Sequence, residues 1–397
     1  MSTRLAIVTT HPIQYQAPLF RELARLAGFD VRVFFTWSQS RAGTYFDPGF
    51  GIPVSWNIPL LEGYEHEFVD NVAARPGPEH FDGIRNPTLA STVAAFGPDV
   101  VLVYGWNLQS HLALMRQLKG RVAVLFRGDS TLLDRQPFVR RMARRAVLHW
   151  VYRHVDGAVA VGRANADYFR WVGVPGSRIW LAPHSVDNAF FANAGPEADS
   201  QAARWRDELG IAVDHRVVLF AGKLQAKKDP LLLLDAFPRN IPDAHLVFVG
   251  SGELEPELRA RAADRQRVHF LPFQNQAAMP AVYRLGDLFV IPSRGPGETW
   301  GLALNEAMAC GVPVIASDRV GATADLVIEG VTGWRFAAGN AGGLASALRD
   351  ALTLPPAILG QRGAAASAHI AGWSTARAVQ GIAAATSECL SLYVGHG

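Results

Sequence analysis

Short, continuous runs of Val, Ile, Leu and Phe recur along the whole chain, and most are not interrupted by alternating polar residues. A strand that is apolar on both faces must be covered on both faces. Parallel sheets flanked by helices provide that cover. The runs read as strands at Leu5–Thr9, Val31–Phe35, Val100–Tyr104, Val122–Phe126, Gly157–Val161 and Ile179–Ala182. They continue at Val217–Ala221, Leu246–Gly250, Val268–Leu271, Leu288–Ile291 and Val312–Ala316. The segments between them, such as Leu19–Leu26 and Leu231–Phe237, carry helical spacing. Strand and helix in steady alternation predict doubly wound α/β sheets.

A chain of 397 residues is long enough for two domains at about 100–200 residues each. Composition shifts at Asn188–Arg204, which is rich in Ala, Asn, Gly, Pro and Asp, so the linker is expected there. This gives domains at 1–190 and 205–372, with a last helix near Thr375–Tyr393. The segment Thr36–Asn86 is long, rich in Gly, Pro and aromatics, and poorly periodic; such stretches are usually functional or mobile. Net charge is only +3, so no nucleic-acid partner is expected. Cys310 and Cys389 stand far apart without metal spacing, which points away from a disulfide framework and toward a reducing, cytoplasmic setting. Met1-Ser2-Thr3-Arg4 leads directly into a strand, and no signal peptide is expected. No apolar stretch approaches the roughly 18–20 residues of a spanning helix.

Two acids lie in one strand–loop–helix passage, Glu298 in the loop and Glu306 two turns into the expected helix. Gly311 and Pro313 stop that helix. Between the acids, the amides of Thr299, Trp300 and Gly301 are expected at the helix N-terminus, where orphan donors and the helix dipole favour an anion. Carboxylates that accept sugar hydroxyls on either side of a phosphate suit a nucleotide sugar.

The run from Pro296 through Glu298, Trp300, Gly301, Leu302 and Glu306 to Pro313 resembles the Glu-x7-Glu motif of the family 4 retaining glycosyltransferases. The resemblance implies a GT-B fold, with two Rossmann-like doubly wound domains facing a cleft and the last helix crossing back onto the first domain. It also implies that Glu298 contacts the donor sugar and that Glu306 holds the ribose hydroxyls. A second stretch, Phe220-Ala221-Gly222-Lys223-Leu224-Gln225-Ala226-Lys227-Lys228-Asp229-Pro230, is similar to the family's Gly-Arg-Leu and Lys-Gly pattern. Lys223 takes the Arg place and Lys228 the Lys place. Fixed cations there would stabilise charge developing on the leaving diphosphate. Lys223 offers a point charge where Arg offers a fork, and Asp229 stands where the family has Gly. The rival reading is a solvated basic turn. Gly250-Ser251-Gly252 and the run through Pro272 and Phe273 resemble the family's nucleotide-base region. There Gly252 is expected to let backbone approach the nucleotide, and backbone near Pro272 and Phe273 to meet the base.

The first domain is expected to hold the acceptor. Thr10-His11-Pro12-Ile13-Gln14-Tyr15-Gln16 replaces a Gly-rich loop of many relatives and matches a subset of the family. His11 either touches donor phosphate or acceptor, or caps the next helix. Trp106, after Tyr104 and Gly105, offers a face for a sugar or belongs to the core. In Phe126-Arg127-Gly128-Asp129-Ser130, Arg127 occupies the slot of a frequent family His. Arg127 or Asp129 takes over its role, Asp129 as proton acceptor, or the two form a structural turn. Pro183-His184-Ser185 is expected to shape a hinge.

Arginines 140, 141, 144 and 145 alternate with an apolar stripe including Met142 and Trp150. Such a helix either lies on an anionic membrane and meets a lipid-linked acceptor, or buries the stripe and solvates its charges.

The expected activity is metal-independent, retaining transfer of a hexosyl group from a UDP- or GDP-sugar to a hydroxyl of a saccharide or lipid-linked acceptor. No cofactor is expected. The setting implied is bacterial polysaccharide or glycolipid synthesis, on the cytoplasmic side and with peripheral membrane contact. The alternatives are an NAD-dependent oxidoreductase, which calls for a complete Gly-x-Gly-x-x-Gly absent here, and a non-catalytic nucleotide-sugar-binding protein.

Overall fold

The structure is a computed structural model that describes residues 2–42, 44–47, 49–55, 57–134 and 136–394. The chain divides into two compact units. One comprises Met1–Tyr45, Ile58–His184 and Thr375–Gly397; the other comprises Phe46–Asn57 and Ser185–Ser374.

The chain up to residue 184 forms β1 (Thr3–Thr9), β2 (Phe29–Phe35), the short pair β3 (Thr44–Asp47) and β4 (Ile52–Ser55), β5 (Glu65–Phe68), β6 (Val100–Tyr104), β7 (Ala123–Arg127), β8 (Gly157–Ala160) and β9 (Ile179–Leu181). Of these, β4 and the end of β3 belong to the second unit. Seven strands form one sheet in the order β5-β2-β1-β6-β7-β8-β9, with parallel pairings. From β1 the chain winds first to one side and then, from β6, to the other. That reversal opens a crevice at the carboxyl ends of β1 and β6. Strand side chains alternate between two buried layers, as the unbroken apolar runs require. Ala6 and Val8 pack with Val93, Leu114 and Met115. Leu5 and Ile7 join the layer that contains Ala378, Ile382 and Ala385 of the last helix, Thr375–Val394.

The second unit continues with β10 (Arg216–Ala221), β11 (Ala244–Val249), β12 (Val268–Leu271), β13 (Leu288–Ile291), β14 (Val314–Ser317) and β15 (Gly333–Phe336). Their order is β12-β11-β10-β13-β14-β15, again parallel. Here too the order reverses, between β10 and β13, and the loops after those strands carry the site residues described below. Val218 and Phe220 pack against Leu233, Leu234, Leu344 and Leu348.

Two expectations are corrected. Asn188–Arg204 is not a linker: it forms helices Asn188–Ala192 and Gly195–Glu208. The latter starts on Pro196 and Glu197, start signals that the loop-like composition masked. Its Arg206 donates to Leu285 O and pairs with Asp287 at 2.7 Å. The boundary between units falls instead at His184 and Ser185. Four strands, β3, β4, β5 and β15, were not legible. In β5, Glu65, His66 and Glu67 are exposed, so the strand lacks the apolar run of a central one.

Candidate active site

In the second unit, β10 ends at Ala221 and turns at Gly222, whose φ of 150° disfavours a side chain. This turn interlocks with the one after β11. A Cβ on Gly252 would lie 2.6 Å from Leu224 O, and Leu224 N donates to Ser251 O at 2.9 Å. The close approach that Gly252 permits in the structure is to the chain's own backbone at Leu224.

Two of the three lysines on the turn after β10 each face a carboxylate. Lys228 Nζ lies 2.6 Å from Glu298 Oε2, which also accepts from Ser293 Oγ at 3.0 Å. Lys223 Nζ donates to both oxygens of Asp47, at 2.8 Å each. The basic turn is thus not solvated. Lys223 and Lys228 side chains are 31% and 20% exposed, against 11% for Asp47 and 7% for Glu298. Asp47 was missed by sequence reasoning because it lies far upstream, in the aperiodic segment. Its carboxylate also accepts the amides of Gly49 and Phe50. Burial works to raise its pKa, but the Lys223 ammonium and these amides outweigh burial and hold it below the ordinary aspartate value.

Glu298 is fixed by its loop as well as its partners. Gly321 N donates to Glu298 O at 3.1 Å, and Ala322 N donates to Trp300 O at 2.9 Å. A Cβ on Gly321 would sit 1.7 Å from Thr299 O, so only glycine lets the two loops meet. Gly301 takes φ of 93° to turn the chain into the helix. That helix is Ala303–Ala309, with Leu302 as its cap. Thr299, Trp300 and Gly301 therefore precede the helix rather than form its N-terminus, and Glu306 stands in its first turn rather than two turns in. Trp300 is buried; its indole donates to Asn305 Oδ1 at 2.8 Å and its ring lies 5.4 Å from Trp373. It is a support for the loop. Tyr283 Oη donates to Glu306 Oε2 at 2.6 Å. Burial pushes the Glu306 carboxyl up to about 7, against the opposing hydrogen bonds of Tyr283 and Gln276.

Pro272 and Phe273 follow β12. Pro272 O accepts from Gln274 Nε2 at 3.2 Å, and the Phe273 ring stands edge-on to Phe50 with centroids 4.6 Å apart.

In the first unit, a separate cluster gathers at the carboxyl ends of β1, β6 and β7. His11 Nδ1 is 2.8 Å from Thr10 Oγ1, and the ring meets Trp37 edge-on at 5.3 Å. Burial lowers its pKa to about 4, so it is neutral at physiological pH. His11 does not cap the next helix, which starts at Ala17 after Gln16 with no side-chain cap bond. Arg127 is buried and donates to Ala182 O at 2.7 Å and Pro183 O at 3.3 Å. It clamps the chain after β9. Asp129 is about half exposed and 4.0 Å from His184 Nε2. His184 also meets the Tyr15 ring edge-on at 5.8 Å. Burial and the Arg127 charge lower the His184 pKa to about 4, against the pull of Asp129. Sequence reasoning gave His184 a hinge role; the structure adds it to the Arg127–Asp129 cluster. Trp106 is half-buried and packs on the core.

Comparison with known proteins now bears on both clusters. Residues 10–184 match the glycosyl transferase 4-like domain, and residues 201–365 match glycosyl transferases group 1. A D-inositol 3-phosphate glycosyltransferase of Mycobacterium leprae is 33% identical over 359 residues, covering 82% of this chain and 76% of that protein. The chain belongs to the family 4 (group 1) glycosyltransferases. The enzyme of the same name from Mycolicibacterium smegmatis is 34% identical over 225 residues, 55% of this glycosyltransferase and 49% of the relative, so the chain spans about half of that relative's length in the match. Among solved structures, Anabaena Alr3699/HepE in complex with UDP superposes with a TM-score of 0.72 at 19% identity, over 97% of this chain and 100% of that one. The α,α-trehalose 6-phosphate synthase of Burkholderia multivorans gives 0.71 at 16% identity, over 99% and 100%. These likenesses show the GT-B fold of this glycosyltransferase.

Proposed function

We propose that this glycosyltransferase moves a hexosyl group from a nucleoside-diphosphate sugar to an acceptor hydroxyl with retention at the anomeric carbon. The observation that carries this reading is the Lys228–Glu298 pair at 2.6 Å, on the same turn as Lys223. That turn carries two cations suited to a leaving diphosphate, and the pair sets one of them against a buried carboxylate suited to a sugar hydroxyl. Glu306 supplies a second acceptor for hydroxyls, those of the ribose. The lysines supply the positive charge that other transferases draw from a metal ion, and the reaction needs no metal. UDP in the structural neighbour, and UDP-glucose in another structure of it, support a nucleotide-sugar donor. Relatives named for inositol phosphate favour a polar, hydroxyl-bearing acceptor, in keeping with polysaccharide or glycolipid synthesis. In this reading Asp129, about half exposed and 4.0 Å from His184, is the candidate to attract the acceptor proton, with Arg127 its rival.

Release of UDP or GDP from a panel of nucleotide sugars tests the reading, with EDTA expected to leave the rate unchanged. Stabilisation by NAD and not by UDP or GDP would overturn it in favour of an oxidoreductase.

Peripheral membrane contact belongs to the same proposal. No helix among the described residues is long and apolar enough to cross a membrane. The helix Phe138–Tyr152 buries Leu148, Val151 and Tyr152, not the expected stripe through Met142 and Trp150. Phe138, Val139 and Val147 are exposed beside Arg140, Arg141 and Arg144. That mixture suits an anionic lipid surface. Co-sedimentation with anionic but not neutral vesicles checks it; no binding to either removes it.

A further inference from the structure

The lysine assigned to the donor's diphosphate is occupied by a loop from a distant part of the sequence. Phe46–Asn57 leaves the first unit's chain and belongs to the second unit. At its start, Asp47 gives Lys223 both carboxylate oxygens. The loop then folds tightly over the same lysine. Gly49 lies so near that a Cβ would come within 2.6 Å of Lys223 Cδ and 2.8 Å of Nζ. The Phe50 ring centroid is 4.9 Å from Nζ. Ser251 Oγ donates to Phe50 O at 2.9 Å, and the Phe50 ring packs on Phe273. One short loop therefore engages Lys223, Ser251 in the turn after β11 and Phe273 beyond β12, in the three stretches where a nucleoside diphosphate is expected.

A carboxylate and a phosphate are alternative anions for one ammonium. Both cannot hold Lys223 in the bidentate way Asp47 does, because the second anion would bring like charge within a few ångströms of the first. We propose that Asp47 is an exchangeable counter-ion for Lys223, a positioning residue that keeps the lysine aligned until the donor's diphosphate displaces Asp47 together with Gly49 and Phe50. The inference rests on the nucleotide-sugar reading above. It goes beyond it by assigning a function to a loop outside every donor motif. Displacement frees the Gly49 and Phe50 amides from the Asp47 carboxylate, and breaks the Phe50–Phe273 contact. Part of the donor's binding energy is spent on opening the loop, so donor affinity reports the strength of the loop's hold.

The experiment is calorimetric titration of the full chain with UDP and GDP, for the wild type, Asp47→Asn and Phe50→Ala. Asp47→Asn keeps the shape and removes the competing charge. Phe50→Ala keeps both charges and loosens the loop. Each is expected to bind the diphosphate more tightly than the wild type, by roughly five- to tenfold for Asp47→Asn. Hydrogen exchange supplies a second readout on the wild type. Amides of residues 49–51 are expected to exchange faster when the diphosphate is bound, which mere loss of a negative charge would not produce. Equal or weaker affinity in Asp47→Asn, or unchanged or slower exchange in that segment at saturating diphosphate, overturns the role of Asp47 and leaves the donor reading standing. A wild type that binds neither UDP nor GDP overturns the donor reading, and this inference with it.

Discussion

At the scale of single residues, the site is made of acids and lysines whose partners set their chemistry. Glu298 accepts from Lys228 and Ser293 in a nearly closed setting. Replacing it by Gln keeps the hydrogen bond from Ser293 but leaves Lys228 without its counter-charge. Glu298→Gln is expected to keep its fold and to lose at least about a hundredfold in kcat, the scale of removing one preorganised polar group; unchanged turnover in a donor assay refutes its role. Glu306 makes a different prediction, because burial raises its carboxyl to about 7. Between the ordinary glutamate value and about 7 the folded protein holds a proton that the unfolded chain has lost. Its contribution to stability therefore falls as pH rises through that window. The hydroxyl-accepting form is the ionised one, so diphosphate binding through the ribose runs the other way. UDP affinity is expected to rise about tenfold from pH 6 to pH 8. Glu306→Gln should show only the titration of UDP itself. Calorimetry across that range on both proteins checks it, and identical profiles would remove Glu306 from the ribose.

At the scale of elements, the site depends on loops that touch through backbone. The loop carrying Glu298 leans on Gly321, where a Cβ would overlap Thr299 O at 1.7 Å. Gly321→Ala must push the two loops apart. It is expected to cost about 1–3 kcal/mol, the range for overpacking a filled site, and to lower kcat/KM at least tenfold. Gly360 is the control. It is exposed in the helix Pro356–Ile370, with nothing within 4 Å of an added Cβ. Gly360→Ala should leave rates unchanged and stabilise by about 1 kcal/mol. Thermal melts with initial rates decide both, and a fully active Gly321→Ala enzyme would show that the loop contact is dispensable. Asp229 belongs to this scale too. It holds the left-handed conformation, φ 51°, between the Lys228 turn and the helix Pro230–Ala236. That backbone requirement explains why the family has Gly at this place.

For the molecule as a whole, the C-terminal helix ties the end of the chain to the unit that contains its beginning. Ala378, Ile382 and Ala385 are wholly buried in the layer where this helix packs on β7, β8, β9 and the helix Ala17–Ala24. Ile382→Asp places a charge in that layer, at an expected cost above about 3 kcal/mol. The first unit should then melt roughly 6–12 °C lower, while UDP still stabilises the second unit. A calorimetric scan with and without UDP separates the two, and a single unshifted transition would contradict the packing.

The local chemistry of the chain settled which strands are central, because a run such as Val100–Tyr104 is apolar on both faces and can only be buried between helices. It also singled out Glu298, Glu306, Lys223 and Lys228 as candidates, because they stand in two local runs that resemble the family's motifs. Edge strands such as β5 stayed hidden because their exposed side chains carry no apolar signal, and the helix at Gly195–Glu208 because small and polar residues weaken its period. Asp47 could not be read at all. It pairs with a lysine 176 positions away, and no local pattern encodes which distant carboxylate folding brings to a given cation. Tertiary structure alone decided that contact, the backbone closeness that demands Gly252 and Gly321, and the burial that raises Glu306, since each depends on groups the chain delivers from far along its length.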